Sequence, residues 1–390
     1  FMTTEEMMEE VNFLGSDVAY EVVVKNSQLI TDMVEDITII PDELFAPTDE
    51  FLAEQGVPSI QKKLEHMVKE KVNELYGDPL PDIVKNRLNK ELSSIIENHF
   101  STVYYISHLL VKKSLDDGYL VGSRGSVGSS FVATLMGITE VNPLPPHYVC
   151  PKCHFHAFKK TDEEKASFGE NEFEKDHHEL FIATDCGWDL PEETCPICNT
   201  RLIRDGHDIP FETFLGFKGD KTPDIDLNFS GDYQSEVHEY IRKLFGANYA
   251  FRAGTIGTCA AKTSFGMVKE YYNKLNIKRK KQGLEPLIVR HAEIARLAKG
   301  IEGAKRTSGQ HPGGIVVVPN TKSIYDITPV QYPGDSKDRN WKTTHYEYHS
   351  FENNLFKLDV LGHDDPTVIR YLMDLVKENP DEFPFTNPKD

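Results

Sequence analysis

The stretch PDIDLNF, residues 223–229, constrains the fold most strongly because apolar and acidic residues alternate along it. Ile225 and Leu227 alternate with Asp224 and Asp226, which is the period of a half-buried β-strand. Side chains two residues apart on a strand leave from the same face, so both carboxylates point to one place. Their repulsion raises at least one pKa unless a cation lies between them. The stretch therefore predicts a metal-binding strand or, as the alternative, a solvent-facing strand with two ordinary aspartates.

The pattern Asp-x-Asp-x-Asn also resembles the start of a calcium-binding EF-hand loop. Such a loop requires Gly at its sixth position and Glu at its twelfth. This chain has Phe229 and Ser235 at those positions, which excludes a calcium loop of this type.

A third carboxylate, Asp359, interrupts the apolar segment LFKLDVLG at residues 355–362, which we predict to be a buried strand. A buried charge needs a partner, and the candidates are Lys357 on the same strand face or a metal ion. Three aspartates from two neighbouring strands match a two-metal phosphoryl-transfer site, which holds two Mg²⁺ ions roughly 3.5–4 Å apart.

The loop GSRGSVGSS, residues 122–130, follows a predicted strand and precedes an apolar helix. Such a junction offers backbone N–H groups and a positive helix end to a phosphate, and an arginine can bind an anion through two hydrogen bonds. The loop matches neither the P-loop pattern nor the glycine spacing of dinucleotide-binding folds, so a flexible turn is the alternative. The candidate phosphate-binding residues are Gly122, Ser123, Arg124, Gly125, Ser126 and Ser129.

Two C-x-x-C pairs, separated by 41 residues, predict a zinc site. Four thiolates complete a tetrahedral shell with no open position, so we predict a structural ion. We expect Cys259, which is alone at a helix start, to be a packed thiol. The predicted ligands are Cys150, Cys153, Cys195 and Cys198, with Cys186, His154, His156, His177 and His178 as alternates.

The net charge is −19, which is the wrong sign overall for a nucleic-acid-binding protein, but the charge is unevenly distributed. Residues 1–60 hold fourteen acidic residues against the single base Lys25. From Lys274 to Arg306 there are ten basic residues against three acidic ones. The acidic segment is expected to be a solvated face, and the basic segment either a solvated face or a polyanion-binding surface.

The 390 residues allow more than one domain, and their pattern predicts an α/β or α+β fold with inserted helical and metal-binding segments. No apolar run approaches the ~18 residues of a membrane span and no leader precedes the chain, so we expect a cytoplasmic location. A chain that opens Phe1-Met2 suggests a fragment.

We predict a tight turn in KRTSGQHPGG, residues 305–314. The predicted strands are 223–229, 313–319 and 355–362, and the predicted helices are 3–40 with Thr3 and Glu6 as a capping box, 58–76, 83–117, 233–246, 258–275, 290–300 and one capped by Asp365.

Five long motifs resemble the bacterial replicative DNA polymerase III alpha subunits of the PolC type. They occur in that family's order and span nearly the whole chain. The motifs are YLVGSRGSVGSSFVATLMGITEVNPLPPHYVCPKC, TPDIDLNFSG, GTIGTCAAKTSFG, SGQHPGGIVV and KLDVLGHDDPT.

The resemblance implies a palm with a fold like the polymerase-β-type nucleotidyltransferases, a mixed sheet, a zinc-binding insertion and a helical thumb. It places the three metal-binding aspartates on Asp224, Asp226 and Asp359, and the Gly/Ser loop at the incoming triphosphate. The implied segments are 1–42, the end of a PHP domain; 43–146, 208–232 and 311–365, the palm; 147–207, the zinc insertion; 233–310, the thumb; and 366–390, the start of the fingers.

The resemblance further implies nucleotidyl transfer from a dNTP to a primer 3′-OH with two Mg²⁺ ions and one structural Zn²⁺. A sliding clamp and other replisome proteins, and a 3′–5′ exonuclease, would involve regions outside this chain. The alternatives are a zinc-containing DNA-binding fragment that is inactive by itself, and a nucleotidyltransferase with a small acceptor. The candidate DNA-binding residues are Lys262, Lys278, Arg279, Lys280, Lys281, Lys305 and Arg306.

Overall fold

The two units of the chain are residues 1–41 and residues 42–390. The structure is a computed structural model. It describes residues 2–40, 43–45, 47, 49, 52, 57, 59–216, 223–332 and 341–378.

The first unit is helical from Thr4 to Asp32, with interruptions at residues 11 and 15 and one π-helical turn. The predicted capping box is confirmed, since the Thr3 hydroxyl accepts from the backbone N–H of Glu6 and the Glu6 carboxylate accepts from that of Thr3. The prediction of helix as far as residue 40 is wrong, because residues 33–40 are not helical. This stretch contains β-branched residues and precedes a proline, which disfavours a helical conformation.

Three long helices begin the second unit: Ile60–Tyr76, Asp82–Glu97 and Ser101–Asp116. The first helix presents an apolar residue to the core at every fourth position, which is the spacing of one helix face. The predicted helix over 83–117 is interrupted, because the chain turns at residues 98–100 and His99 adopts a φ of 59°. The buried residues of the first helix are Ile60, Leu64, Val68, Val72 and Tyr76.

In the described residues, ten strands form two sheets. Seven of them form one sheet in the order β1-β5-β10-β7-β6-β9-β8, in which β5 pairs with β10, and β6 with β9, in parallel, while the other pairs are antiparallel. The mixed α/β fold predicted from the sequence is therefore confirmed. The strands are β1 Val121–Arg124, β2 His147–Val149, β3 His156–Phe158, β4 Ile203–Asp205, β5 Asp226–Ser230, β6 Ala250–Thr258, β7 Lys305–Val317, β8 Val330–Gln331, β9 Thr343–Glu347 and β10 Lys357–His363.

Strands β6 and β7 extend into a two-stranded arm in which Gly254–Thr258 pairs with residues 305–310. Two helices, Ala261–Lys281 and His291–Ile301, connect the two strands. The prediction of a tight turn at 305–314 is therefore wrong, and residues 233–310 are not helical throughout. Several side chains of the arm strands are exposed, so neither face of the arm needs a row of apolar residues. The alternation that marks a half-buried strand is therefore missing there.

Strands β2, β3 and β4 form the second sheet, which belongs to the predicted zinc segment. Three short helices, Asp162–Phe168, Glu172–Asp176 and His178–Ala183, lie between β3 and β4 in the sequence. This segment has a small core of its own, which includes Tyr148, Phe181, Leu190 and Leu202 together with Cys150 and Cys195.

Four further α-helices complete the described fold. The last one begins at Asp364, one residue before the predicted cap. None of the described helices has the length and the apolar character needed to cross a membrane. The four helices are Phe131–Leu135, Glu212–Leu215, Gln234–Phe245 and Asp364–Glu378.

Candidate metal and nucleotide site

Strands β5 and β10 bring the three aspartates together. Asp226 lies directly opposite Asp359 in the parallel register, and Asp224 lies in the segment that leads into β5. One carboxylate oxygen from each of the three residues lies within 4.8 Å of the others. The predicted strand start at residue 223 is wrong by three residues, because β5 begins at Asp226. The two aspartates still converge, since Ile225 between them is buried.

The packing of both strands orients these carboxylates. Ile225 and Leu227 lie in the core, so the intervening Asp226 points to the opposite face. On β10, Leu358 and Val360 are buried on either side of Asp359, whose side chain is itself only 6% exposed. The site therefore extends from the exposed Asp224 to the buried Asp359 at the edge of the hydrophobic core.

The electrostatics of the group favour a cation. Burial, followed by the charges of Asp224 and Asp359, raises the pKa of Asp226, while Arg124 and Lys357 oppose that change. Oδ2 of Asp359 is 2.7 Å from Nζ of Lys357. Oδ1 of Asp359 is buried and has no hydrogen-bond partner among the described residues. A bound cation would satisfy this oxygen.

Lys357 is the cation that the structure itself provides. Its Nζ lies 2.7 Å from Asp359 and 4.9 Å from the centre of the Tyr348 ring. The Tyr348 hydroxyl donates to the carbonyl of Leu355 at 3.1 Å, which fixes the ring. The structure therefore confirms Lys357 as a partner of Asp359. The group of carboxylates is suited to the metal ion that was the other candidate.

His311 lies beside the acidic group without forming an ion pair. Its Nδ1 accepts from the backbone N–H of Gly314 at 2.6 Å and is 3.3 Å from that of Gly313. A nitrogen that accepts carries no proton, so the 3.9 Å contact with Oδ1 of Asp359 joins a neutral ring to a carboxylate. Burial also lowers the pKa of His311, which keeps the ring neutral.

The Gly/Ser loop begins next to the aspartates. Arg124 lies opposite Asp226 in the β1–β5 ladder, and its Nε is 3.9 Å from Oδ2 of Asp226. Gly125 has a φ of 77° and open space where a Cβ would stand, so an anion can approach its backbone closely. Ser126 is partly exposed on the same turn. These residues form the accessible part of the loop.

Other residues of the predicted phosphate set are less available. The Ser123 hydroxyl is 2.6 Å from that of Thr139. Ser129 is buried and its hydroxyl donates to the carbonyl of Ser126 at 2.6 Å. Gly122 pairs with Asn228 in the sheet and has open space beside it.

A buried carboxylate occupies the helix end at which the sequence predicted a phosphate. Glu91 accepts from the backbone N–H groups of Phe131 and Val132, both at 3.0 Å. It also accepts from the Ser130 hydroxyl at 3.0 Å and forms an ion pair with Arg87. Sequence reasoning missed this pair, although Glu91 falls within the apolar face of its helix.

The four predicted zinc ligands converge at one point. Three of the distances between their sulfur atoms are 3.4–3.5 Å. The Thr200 hydroxyl and a backbone contact of Thr200 lower the pKa of Cys198 to about 6, which favours the thiolate. A four-thiolate set fits Zn²⁺. The alternates, Cys186, His154, His156, His177 and His178, are outside this group, and Cys259 is buried.

The predicted DNA-binding residues lie on the β6–β7 arm and its helices. Lys262 is in the first turn of the helix Ala261–Lys281, and four basic residues are in its last turn. Arg279 also donates to the carbonyl of Glu285 at 2.8 Å, so it helps to close the helix end. Lys305 and Arg306 are exposed at the start of β7. Positive charge therefore lies at both ends of the helix Ala261–Lys281 and at the start of β7.

The profile of the family described as Bacterial DNA polymerase III alpha NTPase domain matches residues 62–362, which is more than half of the chain. The chain belongs to this DNA polymerase III alpha family. The matched range includes the three aspartates, the Gly/Ser loop and the four cysteines.

Relatives agree with the family assignment. The chain is 52% identical over 389 residues to the DNA polymerase III PolC-type of Halalkalibacterium halodurans, and 51% identical over 391 residues to that of Bacillus subtilis. It is 53% identical over 384 residues to that of Staphylococcus saprophyticus. These alignments cover 98–100% of the chain but 24% of each relative, so the chain spans about a quarter of their length.

Proposed function

We propose that this chain is the catalytic palm and thumb region of a replicative DNA-directed DNA polymerase. The reaction is nucleotidyl transfer from a dNTP to the 3′-OH of a primer. The observation that carries the proposal is the convergence of Asp224, Asp226 and Asp359 within 4.8 Å, with Asp226 and Asp359 in register on neighbouring strands. Such an oxygen-rich group fits two Mg²⁺ ions.

In this proposal, Asp224 and Asp226 would hold both ions, and Asp359 would supply a further carboxylate ligand to the ion that activates the primer 3′-OH. When bound, the ions stabilise the negative charge that develops on the attacking and leaving oxygens. The unpaired Oδ1 of Asp359 is the ligand atom that the chain leaves available there. Lys357 restrains the other oxygen of Asp359 and so orients the carboxylate.

Arg124, Gly125 and Ser126 contact the β- and γ-phosphates of the incoming nucleotide. Arg124 is suited to this role because it is 57% exposed and adjoins Asp226, so a phosphate next to the metals is within its reach. Gly122 and Ser123 line the same strand. Ser129 supports the loop from below through its bond to Ser126.

The palm comprises residues 43–146, 208–232 and 311–365, with a fold like the polymerase-β-type nucleotidyltransferases, and β6 and the start of β7 from residues 233–310 extend its mixed sheet. Residues 147–207 are its zinc insertion and 233–310 the thumb, which holds duplex DNA through the basic arm. Residues 1–42 end a PHP domain, and 366–390, of which 379–390 lie outside the described residues, begin the fingers. The polymerase acts in the cytoplasm, and its sliding clamp and other replisome partners bind regions beyond this chain.

The test is primer extension by the full-length polymerase that carries Asp226→Asn. The variant removes one negative metal ligand and is expected to abolish extension while primer–template binding stays unchanged. Asp232→Asn is the matched control, because Asp232 is an exposed aspartate outside the metal-binding group. Extension retained by the Asp226 variant at the control's rate would contradict the proposal.

A zinc-containing DNA-binding module without catalysis is the second candidate. It is favoured by the presence of the basic residues of the helix Ala261–Lys281 and of the four-cysteine site. Primer extension by this chain with Mg²⁺, together with filter binding at two salt concentrations, separates the two functions. A module would bind with steep salt dependence and incorporate no nucleotide.

A further inference from the structure

A buried ion pair lies directly beneath the Gly/Ser loop. Glu91 is fully buried on the helix Asp82–Glu97, and Arg87 precedes it by one helical turn. The Arg87 side chain is 16% exposed and donates from Nε to Oε1 of Glu91. This pair is separate from the three aspartates and from the cysteine group.

All four partners of the Glu91 carboxylate are donors. Oε1 accepts from Arg87 and the backbone N–H of Phe131, and Oε2 accepts from the Ser130 hydroxyl and the backbone N–H of Val132. Burial raises the pKa of Glu91, and the charge and hydrogen bonds of Arg87 oppose that shift. A buried carboxylate is tolerated when its oxygens are satisfied in this way.

Arg87 links Glu91 to two further segments. Its Nη2 donates to the carbonyl of Ser129 at 2.5 Å and to that of Ile209 at 2.9 Å. Ser129 closes the Gly/Ser loop, and Ile209 precedes the segment that leads to the aspartates. A single guanidinium thus joins the helix, the loop and the chain before β5.

This arrangement determines which part of the loop can hold an anion. The N–H groups of Phe131 and Val132 already bind the Glu91 carboxylate, so they are not free for a phosphate. A second anion at this helix end would also meet the negative charge of Glu91. The open part of the loop is at Arg124, Gly125 and Ser126, which lies beside Asp226.

We propose that Glu91 and Arg87 are positioning residues that fix the end of the Gly/Ser loop, so that the triphosphate binds at residues 124–126 and not at the helix end. This inference rests on the proposed polymerase function. It predicts that disrupting the pair weakens binding of the phosphates specifically, because the primer and the template contact other parts of the protein.

Glu91→Gln in the full-length polymerase tests the proposal. Its neutral amide has one acceptor oxygen and one NH₂ group, so in either orientation the NH₂ group faces a backbone N–H donor. We expect the KM for dNTP to rise about tenfold, which corresponds to the loss of one well-placed charged interaction. The KM for pyrophosphate in the reverse reaction should rise by a similar factor, because pyrophosphate contacts only the phosphate-binding part of the site.

Two further variants make the result decisive. Lys90→Gln, on the same helix, removes an exposed ion pair with Glu212 and should leave both constants unchanged. Arg87→Lys keeps the charge beside Glu91, but its single nitrogen cannot bind Glu91 and the two carbonyls together as Nε and Nη2 of the arginine do, so it should also raise both constants. If Glu91→Gln does not fold, Arg87→Lys decides the question on the same two constants.

Unchanged KM values for dNTP and pyrophosphate in the folded variants would overturn the proposal. A fall in kcat and in primer–template affinity that accompanies the rise of both KM values would also overturn it, since that pattern indicates general damage. Primer extension retained by Asp226→Asn would instead contradict the proposed function, so the two failures are distinguishable.

Discussion

Asp226 and Asp359 lie directly opposite each other on the parallel strands β5 and β10, although they are far apart in the sequence. This register places two carboxylates on one face of the sheet, and Asp224 adds a third from the segment before β5. Within the chain, Lys357 and Arg124 offset part of the negative charge.

Lys357→Gln is expected to make the protein depend more strongly on Mg²⁺ for its stability. Removal of the lysine leaves the nearly buried Asp359 carboxylate without its cation, which destabilises the metal-free protein by up to about 3 kcal/mol. Mg²⁺ supplies the missing positive charge, so it should raise the Tm of the variant more than that of the wild type. Thermal unfolding with and without Mg²⁺ measures this, and equal shifts would count against a cation site at Asp359.

Cys198→Ser is expected to abolish zinc binding and to lower the Tm of the protein. The serine hydroxyl does not replace a thiolate in a closed four-sulfur shell, and structural zinc contributes directly to folding. Metal analysis should find about one zinc per chain in the wild type and almost none in the variant. Cys186→Ser is the matched control, because Cys186 is outside the group. Zinc loss in the control and retention in Cys198→Ser would reverse the ligand assignment.

Replacing Lys278, Lys280 and Lys281 together by Gln is expected to weaken primer–template binding by the full-length polymerase. Each lost phosphate contact should reduce the slope of log affinity against log salt by about one. Arg279 is left in place because it also closes the helix end. Fluorescence anisotropy over a range of salt concentrations measures both quantities.

Lys62, Lys63 and Lys69, which are exposed on the helix Ile60–Tyr76, provide a charge-matched control when they are changed to Gln. The contrary outcome is a control variant that loses as much affinity as the variant at Lys278, Lys280 and Lys281, with an equal reduction of the slope of log affinity against log salt. In that case the effect would come from net charge. The assignment of the arm as a DNA-binding surface would then be wrong.

His238 is expected to destabilise its surroundings as the pH falls. Burial, and then the positive charge of Arg252, lower the pKa of His238 to about 3. The histidine of the unfolded chain takes up a proton near pH 6.5, whereas that of the folded protein stays neutral down to about pH 3. The free energy of unfolding is therefore highest above about pH 6.5 and decreases as the pH falls towards 3. The loss should be about 1 kcal/mol between pH 6.5 and pH 5.5.

Hydrogen exchange of the β6 amides, corrected for the intrinsic effect of pH, measures this change in the full-length protein. His238→Gln keeps an acceptor for Arg252, which lies 2.5 Å from the histidine Nδ1, but it does not titrate. The variant should therefore lose less protection over the same pH range. An identical loss in both proteins would assign the effect to other groups.

The individual residues of the candidate site were predictable because their signals are local, whereas the pairing of Asp359 with Asp226 is a long-range contact. Ile225 and Leu227 alternate with Asp224 and Asp226, and Asp359 is the acidic residue of an apolar strand. The period of two therefore indicates which side chains are buried and which face of the strand carries the carboxylates. The C-x-x-C spacing is equally local. The start of β5 was placed incorrectly because Asp224 converges on the group without joining the sheet ladder.

The arm and the Glu91–Arg87 pair were not predictable for a different reason. Residues 305–308 of β7 are exposed, and they form a strand by pairing with β6 rather than by burying a face, so no periodic pattern marks them. Glutamate is common in exposed helices, so Glu91 does not stand out in the sequence. Only its contacts with Ser130, Phe131 and Val132, about forty positions later, reveal that it is buried.

The most direct test of the central claim is anomalous X-ray diffraction from crystals soaked in Mn²⁺, which replaces Mg²⁺ at oxygen-ligand sites. We predict two anomalous peaks about 3.5–4 Å apart between the carboxylates of Asp224, Asp226 and Asp359 when nucleotide and primer are bound. Asp226→Asn crystals should lose at least one of them. Well-ordered wild-type crystals with manganese bound elsewhere and no peak at these three aspartates would contradict the account.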